Sequence, residues 1–310
     1  MLERHVAGAR KEEKGMSTIF QALDSKLGLI PGLKPDAAPH PAPHDDEPHR
    51  PAATGAAAPA VPLTDPKSRI RMVPIQLAES SPLLPYDGSS PRAGEQYRTV
   101  RTNLLQNPDA PRVLVISSCG SGDGKTLSAV NTAGALAIKG ETTVLLIDAD
   151  LRNPSLAPTL GLPQEPGLAD VLTGDCQLED AIVRTEQFPN LYVLAAGTAR
   201  RNPAEMLDSA RWHQMCAVVR NSFRFVLIDT PPIAAVTDYD LVQAVADGVV
   251  FVVRPDHSDR NLCLAALQKV SATGKLTGVL VNCAENWFLY KRYGRYPYPY
   301  PESYHNRTSS

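Results

Sequence analysis

Residues 113–126 read Val113-Leu-Val-Ile-Ser-Ser-Cys-Gly-Ser-Gly-Asp-Gly-Lys-Thr126. The apolar start is typical of a buried strand, and the chain then passes through a glycine-rich loop into a helical pattern. Glycines let a backbone wrap around an anion, while successive N–H groups and a helix N-terminus face it. A lysine and a hydroxyl residue at the end of such a loop reach the outer phosphates and hold Mg²⁺. The stretch is therefore predicted to be a phosphate-binding P-loop.

Consecutive residues of this loop are predicted to bind ATP with Mg²⁺. They are Gly120, Ser121, Gly122, Asp123, Gly124, Lys125 and Thr126. The pattern departs from the usual one at Cys119, where most P-loops have glycine. A glycine-rich turn without a ligand is the alternative. It is disfavoured because strand, loop, Lys-Thr pair and helix follow in the expected order.

The composition indicates a soluble protein. The 310 residues carry a formal net charge of −2, which gives no reason to expect a nucleic-acid partner. The N-terminus lacks the apolar core of a signal peptide, and no run approaches the ~20 apolar residues that span a bilayer. The expected location is the cytoplasm, so a membrane role would require a separate membrane partner.

Five cysteines are scattered along the chain, odd in number and without the paired spacing of a metal site. They are interpreted as reduced cytosolic thiols. The five are Cys119, Cys176, Cys216, Cys263 and Cys283.

The first 90 residues divide into two segments. Residues 1–28 contain an amphipathic helical pattern at Ser17–Leu27, which Gly28 would end. An isolated helix of this length is marginal in water, so it is interpreted as a docking helix for a partner. A helix packed on its own domain is an open alternative. Residues 29–90 are rich in Pro, Ala and His and are predicted to be a disordered linker.

A further helix is predicted at Pro91–Leu105. It carries Glu95, Arg98 and Arg101 at intervals of three, and therefore on one face. On spacing alone, a solvated face with a local ion pair is favoured.

From Val113 onward, apolar strands alternate with helices. Nearly continuous Val, Ile and Leu in the strands indicate a mostly parallel sheet that helices cover on both faces. The expected fold class is α/β, of the P-loop NTPase type, in a domain spanning residues 91–286. The predicted strands are Val113–Ser117, Thr143–Asp148, Leu191–Leu194, Phe225–Asp229, Val249–Val253 and Val279–Val281, and the predicted helices are Thr126–Lys139, Leu178–Arg184, Pro203–Asn221, Asp238–Ala246 and Asp259–Thr273.

Residues 287–310 form a tail that holds six of the ten tyrosines of the chain. Alternating prolines remove backbone donors and exclude a central strand or a helix, so an extended tail with accessible phenols is predicted. A solvated low-complexity terminus is the alternative. The tyrosines are Tyr290, Tyr293, Tyr296, Tyr298, Tyr300 and Tyr304.

Two predicted strands end in acidic residues, at the edge of a parallel sheet where ligands bind. Asp229 is the expected Walker B acid, which holds Mg²⁺ directly or through water. A strand-end acid can instead cap a helix, but the P-loop in the same domain favours the catalytic interpretation.

The other acidic end reads Asp148-Ala-Asp150-Leu-Arg152. In an extended chain alternate residues project to one side, which would aim both carboxylates and the guanidinium into one site. One acid would assist Mg²⁺ and the other would orient or deprotonate an incoming hydroxyl. The candidate metal ligands are Thr126, Asp148 and Asp229, and the candidate catalytic residues are Lys125, Asp148, Asp150, Arg152 and Asp229.

Taken together, these motifs resemble the bacterial tyrosine kinases of capsule and exopolysaccharide export, which are similar to deviant P-loop ATPases. The resemblance covers about residues 92–310. It is carried by the P-loop, the tyrosine-rich tail, and the stretches Leu145–Pro154, Gly167–Gly174, Asn202–Leu207, Leu227–Ile233, Asp247–Val249 and Gly278–Asn282.

The resemblance implies an ATP-dependent protein-tyrosine kinase that autophosphorylates its tail in trans within an oligomer and regulates polysaccharide polymerisation and export. Glu95, Arg98 and Arg101 match the family's oligomerisation motif, which implies a ring. Asn282 matches its adenine contact, with a strand-end cap as the alternative. The implied partners are a separate transmembrane chain-length adaptor, which would recruit the kinase to the inner face of the plasma membrane, and a protein-tyrosine phosphatase.

Two other functions compete with this one. A partitioning-type ATPase switch without kinase activity is disfavoured by the tail and by the Asp148–Arg152 motif, and the loop lacks the early signature lysine of those ATPases. A regulatory protein that binds nucleotide without turnover is disfavoured by the intact Lys125, Thr126, Asp148 and Asp229.

Overall fold

A computed structural model describes residues 70–76, 91–138, 142–199, 202–255 and 257–283. The predicted docking helix at Ser17–Leu27, most of the predicted linker and the whole tyrosine tail lie outside these residues.

Eight strands form a single sheet in the order β1-β4-β5-β3-β6-β2-β7-β8. Every neighbouring pair is parallel except β4 with β5, so the prediction of a mostly parallel α/β sheet is confirmed. The strands are β1 (Arg71–Val73), β2 (Val113–Ser118), β3 (Val144–Asp148), β4 (Ile182–Thr185), β5 (Leu191–Leu194), β6 (Phe225–Asp229), β7 (Gly248–Val253) and β8 (Leu276–Val281).

The helices lie between these strands and cover the sheet. They are α1 (Pro91–Leu105), α2 (Lys125–Ala137), α3 (Leu156–Leu160), α4 (Leu168–Thr173), α5 (Leu178–Ala181), α6 (Pro203–Leu207), α7 (Ala210–Ser222), α8 (Asp238–Ala244) and α9 (Arg260–Ala272).

The apolar strands supply two cores, one on each face of the sheet. In β2, Val113 and Val115 belong to one buried cluster, whereas Leu114 and Ile116 belong to the other. Since successive side chains of a strand point to opposite faces, a strand buried on both sides must be apolar throughout. This requirement explains why the central strands were predictable within one residue at most of their ends.

The prediction of a helix over Leu178–Arg184 is wrong in its second half. Helix α5 ends at Ala181, and Ile182–Thr185 pair antiparallel with β5. The β-branched Ile182 and Val183 are both buried, and cross-strand packing of such residues outweighs local helical periodicity.

The prediction of a disordered linker over residues 29–90 is wrong for residues 70–76. Strand β1 pairs in parallel with β4, opposite Val183–Thr185. Just beyond it, the side-chain amide of Gln187 accepts from the N–H of Ile75 at 2.8 Å and donates to its C=O at 3.0 Å. The edge strand was not predictable because its three residues pair with a strand more than 100 positions away.

The predicted helix at Pro203–Asn221 is two helices. Helix α6 ends at Leu207, and Ser209 then caps α7 by accepting a hydrogen bond from the N–H of Trp212. A serine in such a pattern favours a helix start over a helix interior, because its hydroxyl satisfies a free backbone N–H.

Asp247, immediately before β7, ties three elements together. One carboxylate oxygen accepts from the N–H groups of Arg112 and Val113 at 2.9 Å each, and the other accepts from Arg220 at 2.6 Å. Although burial by itself would raise it, the pKa of Asp247 is held below its ordinary value by the N–H of Val113, by Arg220 and by the N–H of Arg112. This carboxylate anchors the start of the strand that leads to the P-loop.

We expect Asp247→Asn to lower the free energy of unfolding by about 1–2 kcal/mol at pH 7, since three donors lose their charged acceptor. A lowered folded-state pKa stabilises the fold above the unfolded-state pKa of ~4, and this stabilisation is lost as the pH falls through the folded-state pKa. The difference between wild type and variant should therefore shrink below pH ~4. Urea denaturation from pH 3 to pH 7 measures it.

Asp240→Asn is the matched control, because Asp240 pairs with Lys269 in an exposed ion pair. It should cost less than about 1 kcal/mol. An Asp247→Asn deficit that is equally large at pH 3 and pH 7 would contradict the role given to its charge.

Candidate active site

The P-loop joins the end of β2 to the start of α2. This helix begins at Lys125, one residue earlier than predicted. Gly122 and Gly124 have φ of 81° and 86°, the left-handed region that favours glycine. A Cβ on Gly124 would lie 2.0 Å from Nδ2 of Asn282, and one on Gly122 would lie 2.7 Å from Nε2 of His257, so either substitution would also displace the end of a neighbouring side chain. The backbone conformation of the loop is therefore what requires both glycines.

Asp123 braces the loop from within. Its carboxylate is buried, accepts from the N–H of Gly120 at 3.0 Å and accepts from the hydroxyl of Ser258 at 2.6 Å. The side chain is thus used to fold the loop, and any contact of Asp123 with nucleotide would fall to its backbone.

The segment after β7 lies against the P-loop, and sequence reasoning missed it. Arg254 donates to the C=O of Gly122 at 3.3 Å, and Nε2 of His257 lies 3.1 Å from the C=O of Ser121. The sequence did contain a signal for this contact. A polar stretch follows the apolar strand β7, and the parallel neighbour of β7 is the strand that leads into the P-loop.

Asn282, at the end of β8, contacts the other side of the loop. Its Nδ2 donates to the C=O of Asp123 at 3.0 Å, and its Oδ1 accepts from the N–H of Cys283 at 3.0 Å. The predicted adenine contact stays a prediction, but the residue does lie at the P-loop.

Asp148 and Asp229 face each other as register partners at the ends of β3 and β6. Both are fully buried. The hydroxyl of Thr126 donates to one oxygen of Asp229 at 2.5 Å and lies 2.8 Å from the hydroxyl of Ser155. The other oxygen of Asp229 has no hydrogen-bond partner within the part of the chain that the structure describes. A buried carboxylate oxygen left free beside a threonine hydroxyl fits a Mg²⁺ site.

Asp148 is engaged differently. One oxygen accepts from the N–H groups of Ser155 and Leu156, at 3.1 and 3.0 Å, and the other accepts from the N–H of Asp150 at 3.1 Å. The carboxylate therefore shapes its own loop, and its role as a metal ligand stays a prediction.

Burial makes both acids costly to ionise. It raises the pKa of Asp148 to about 6 and that of Asp229 to about 7, although Lys125 and Thr126 lower the latter. Two carboxylates desolvated side by side favour a cation between them, since a positive charge restores the ionised forms.

Lys125 and Asp150, two of the candidate catalytic residues, contact each other. The ammonium lies 3.4 Å from a carboxylate oxygen of Asp150. Because Asp150 is only 3% exposed, water screens this charge pair weakly. The other oxygen of Asp150 accepts from the N–H of Asn153 at 3.1 Å. Asp150 thus pairs with the lysine that is predicted to reach the outer phosphates.

The prediction that Arg152 points into this site with Asp148 and Asp150 is wrong. Its guanidinium donates to both oxygens of Asp238 at 2.7 and 3.0 Å, and Asp238 is completely buried at the start of α8. Alternate residues project to one side only in an extended chain, but the backbone here turns between Asp150 and Asn153. Arg152 instead links the loop after β3 to the chain after β6.

The interpretation of all five cysteines as reduced thiols is wrong. Cys119 of the P-loop and Cys263 of α9 form a disulfide with a Cα–Cα distance of 5.0 Å, whereas Cys176, Cys216 and Cys283 are free. The pair is separated by 144 positions, so spacing could not have revealed it.

Two of the three predicted oligomerisation residues, Glu95 and Arg98, lie on the outer side of helix α1. Arg98 forms an ion pair with Glu95, and both side chains are more than half exposed. Arg101 instead lies over α2, where its guanidinium donates to the C=O of Ala135 at 3.5 Å. The local ion pair favoured on spacing alone is present, and assembly stays a prediction.

Within the described ranges, no helix combines the length and the apolar character that crossing a membrane needs. No cluster of three or more His, Cys, Asp or Glu side chains suited to a metal occurs among the same residues.

Comparisons with known proteins agree with the geometry. A family model described as AAA domain matches residues 111–270, about half of the chain. Tyrosine-protein kinase CpsD of Streptococcus agalactiae is 33% identical over 205 residues, which cover 65% of this chain and 89% of that protein. Tyrosine-protein kinase YwqD of Bacillus subtilis is 34% identical over 206 residues, which cover 65% and 85%.

A solved structure is also similar. The crystal structure of the chimerical protein CapA2B2 superimposes with a TM-score of 0.63 at 30% identity, covering 70% of this chain and 94% of that one. With the P-loop, the two strand-end acids and these relatives in agreement, the chain belongs to the bacterial tyrosine kinases of the P-loop family.

Proposed function

We propose that this protein-tyrosine kinase transfers the γ-phosphoryl group of ATP to tyrosines of its own C-terminal tail, in trans within an oligomer, and thereby regulates capsular or exopolysaccharide polymerisation and export. The observation that carries the proposal is the contact of Lys125 with Asp150 beside the Thr126–Asp229 pair. The proposed phosphate-binding lysine, a second acid and two candidate Mg²⁺ ligands then lie at one edge of the sheet.

The binding role falls to the loop and to the strand-end acids. The backbone of residues 120–126 and the N-terminus of α2 would hold the phosphates, with Thr126 and Asp229 as Mg²⁺ ligands and Asp148 assisting. Bound Mg²⁺ would neutralise charge on the transferring phosphoryl group. Lys125 would turn from Asp150 toward the phosphates, because an anion carrying several charges attracts it more strongly than one carboxylate does.

Release of Lys125 frees Asp150 for the acceptor. Its carboxylate would accept the hydrogen bond of a tyrosine hydroxyl and orient it for in-line attack. Phosphoryl transfer has a loose transition state, so that position and charge matter more than the strength of the base. The site thus couples nucleotide binding to acceptor alignment.

The tail is the proposed acceptor. Lys291, Arg292 and Arg295 make it basic, which favours its approach to a site occupied by ATP. Each phosphate adds about −1.5 to −2 charges and weakens that attraction, so phosphorylation would release the tail. A tail of ~20 residues can extend up to about 70 Å, which suffices to reach a neighbouring subunit.

Assembly and recruitment complete the proposal. Glu95 and Arg98 are exposed on α1 and could pair with a neighbouring subunit in a ring. A separate transmembrane adaptor would hold the kinase at the inner face of the plasma membrane, with the Ser17–Leu27 segment as its contact, and a protein-tyrosine phosphatase would reverse the reaction.

We expect purified protein with MgATP to acquire phosphate on tyrosines of residues 290–304, detected by mass spectrometry with and without an adaptor's cytoplasmic fragment. Lys125→Met should abolish the signal, because the outer phosphates lose their cation. Release of inorganic phosphate with an unmodified tail under both conditions would contradict the proposal and favour a partitioning-type ATPase switch.

Asp150→Asn separates transfer from binding. The amide keeps the shape but removes the charge that orients the acceptor, so tail phosphorylation should fall by about 10²–10⁴-fold. The Kd for ATP, measured by calorimetry, should stay the same or decrease, because Lys125 no longer has a competing carboxylate. Asp240→Asn is the control that should change neither quantity, because Asp240 forms an exposed ion pair with Lys269.

The combined variant Glu95→Ala, Arg98→Ala tests the ring. Light scattering should show a smaller oligomer, and tail phosphorylation in trans should fall while ATP binding persists. The matched control replaces Asp240 and Lys269, a similarly exposed ion pair away from α1, by alanine. Equal oligomer size in both variants would exclude the α1 pair from assembly.

A further inference from the structure

The disulfide partners Cys119 and Cys263 lie in two segments of the chain that are far apart in sequence. Cys119 begins the P-loop and is 1% exposed, whereas Cys263 lies in the first turn of α9 and is 4% exposed. Their Cα–Cα distance of 5.0 Å lies within the range that a disulfide requires.

The same two segments also contact each other around the loop. Ser258 donates to Asp123, and Arg254 donates to the C=O of Gly122. These contacts are hydrogen bonds that a small movement can open, and the disulfide is the one covalent link between the segments among the described residues.

We propose that Cys119 and Cys263 form a reversible thiol-oxidation site, whose oxidants are hydroperoxides or low-molecular-weight disulfides, and that oxidation clamps the P-loop to the start of α9 and slows nucleotide exchange. The inference rests on the proposed function in one respect, namely that the P-loop binds adenine nucleotide.

With hydrogen peroxide as the oxidant, the disulfide forms in two steps. One thiolate attacks hydrogen peroxide and becomes a sulfenic acid as hydroxide leaves, and the second thiol then displaces water from that sulfur. Two thiols and one peroxide thus give one disulfide and two waters. A dithiol reductant reverses the step by thiol–disulfide exchange and is itself oxidised.

The reduced form has an alternative bond for the P-loop sulfur. Sγ of Cys119 lies 3.4 Å from a carboxylate oxygen of Asp123, where a reduced thiol would donate a hydrogen bond. Reduction therefore leaves the sulfur satisfied inside the loop, and the covalent link between the loop and the 254–263 segment is lost.

Two other cysteines, Cys176 and Cys216, are free in the structure, so neither is placed to form such a bond within the described residues. Cys283 is exposed and free, and it is replaced by serine in all variants compared below so that intermolecular disulfides do not intervene.

The experiment compares the full chain after hydrogen peroxide or oxidised glutathione with the chain after dithiothreitol. Alkylation and peptide mapping report the bond, and stopped-flow fluorescence reports release of N-methylanthraniloyl-ADP in Mg²⁺ buffer. We expect a Cys119–Cys263 peptide pair after oxidation and a release rate lower by about tenfold, restored by dithiothreitol. The oxidised chain should also melt about 5–10 °C higher, because the bond closes a long loop.

Cys263→Ser and Cys263→Ala should both release nucleotide at the same rate before and after oxidation, and agreement between the two guards against a folding defect. Cys216→Ser, another buried cysteine on a helix, should keep the full response. Absence of the linked peptide, or a linked peptide with an unchanged release rate, would overturn the inference. Because release is measured without phosphoryl transfer, a chain that responds to oxidation but phosphorylates no tyrosine would refute the kinase proposal alone.

Discussion

The register between β3 and β6 is the constraint on which the site depends. It sets Asp148 opposite Asp229 at one edge of the sheet, and the register between β6 and β2 brings that edge to the P-loop. A shift by one residue would turn each of these side chains to the other face of the sheet. The alternating burial of Leu145 and Leu146 in opposite cores prevents such a shift, because it would exchange the two cores. The packing of ordinary apolar residues therefore fixes the position of the charged ones.

Burying these acids has a cost that the site meets in three ways. Backbone N–H groups satisfy Asp148, Lys125 compensates Asp150, and Thr126 donates to one oxygen of Asp229. The second oxygen of Asp229 has no hydrogen-bond partner among the described residues, and a buried oxygen of this kind suits a metal ion. A site with every group satisfied from within would bind such a ligand less well, since it would lose as many bonds as it gained.

The features of the fold and the site that could be predicted from the sequence are those that depend on local interactions. Strands buried on both faces must be apolar, so the α/β fold was predictable. A P-loop needs its glycines and lysine in a fixed order, so Lys125 and the strand-end acid Asp229 were predictable as well. The partner of Arg152 was not, because a turn after Asp148 breaks the alternation and aims the guanidinium at Asp238. Strand β1 and the Cys119–Cys263 bond depend on pairing across more than 100 residues, which no local pattern encodes.

The unusual first position of the P-loop shows how such distant pairing changes a motif. Glycine is needed where φ is positive, and among the loop residues that condition holds at Gly122 and Gly124. Cys119 lies outside that region of backbone space, so a side chain is tolerated there at no conformational cost. Its sulfur is then free to bond with α9 or with Asp123. The departure from the motif leaves the phosphate-binding backbone intact and gives the loop a point of attachment that glycine cannot provide.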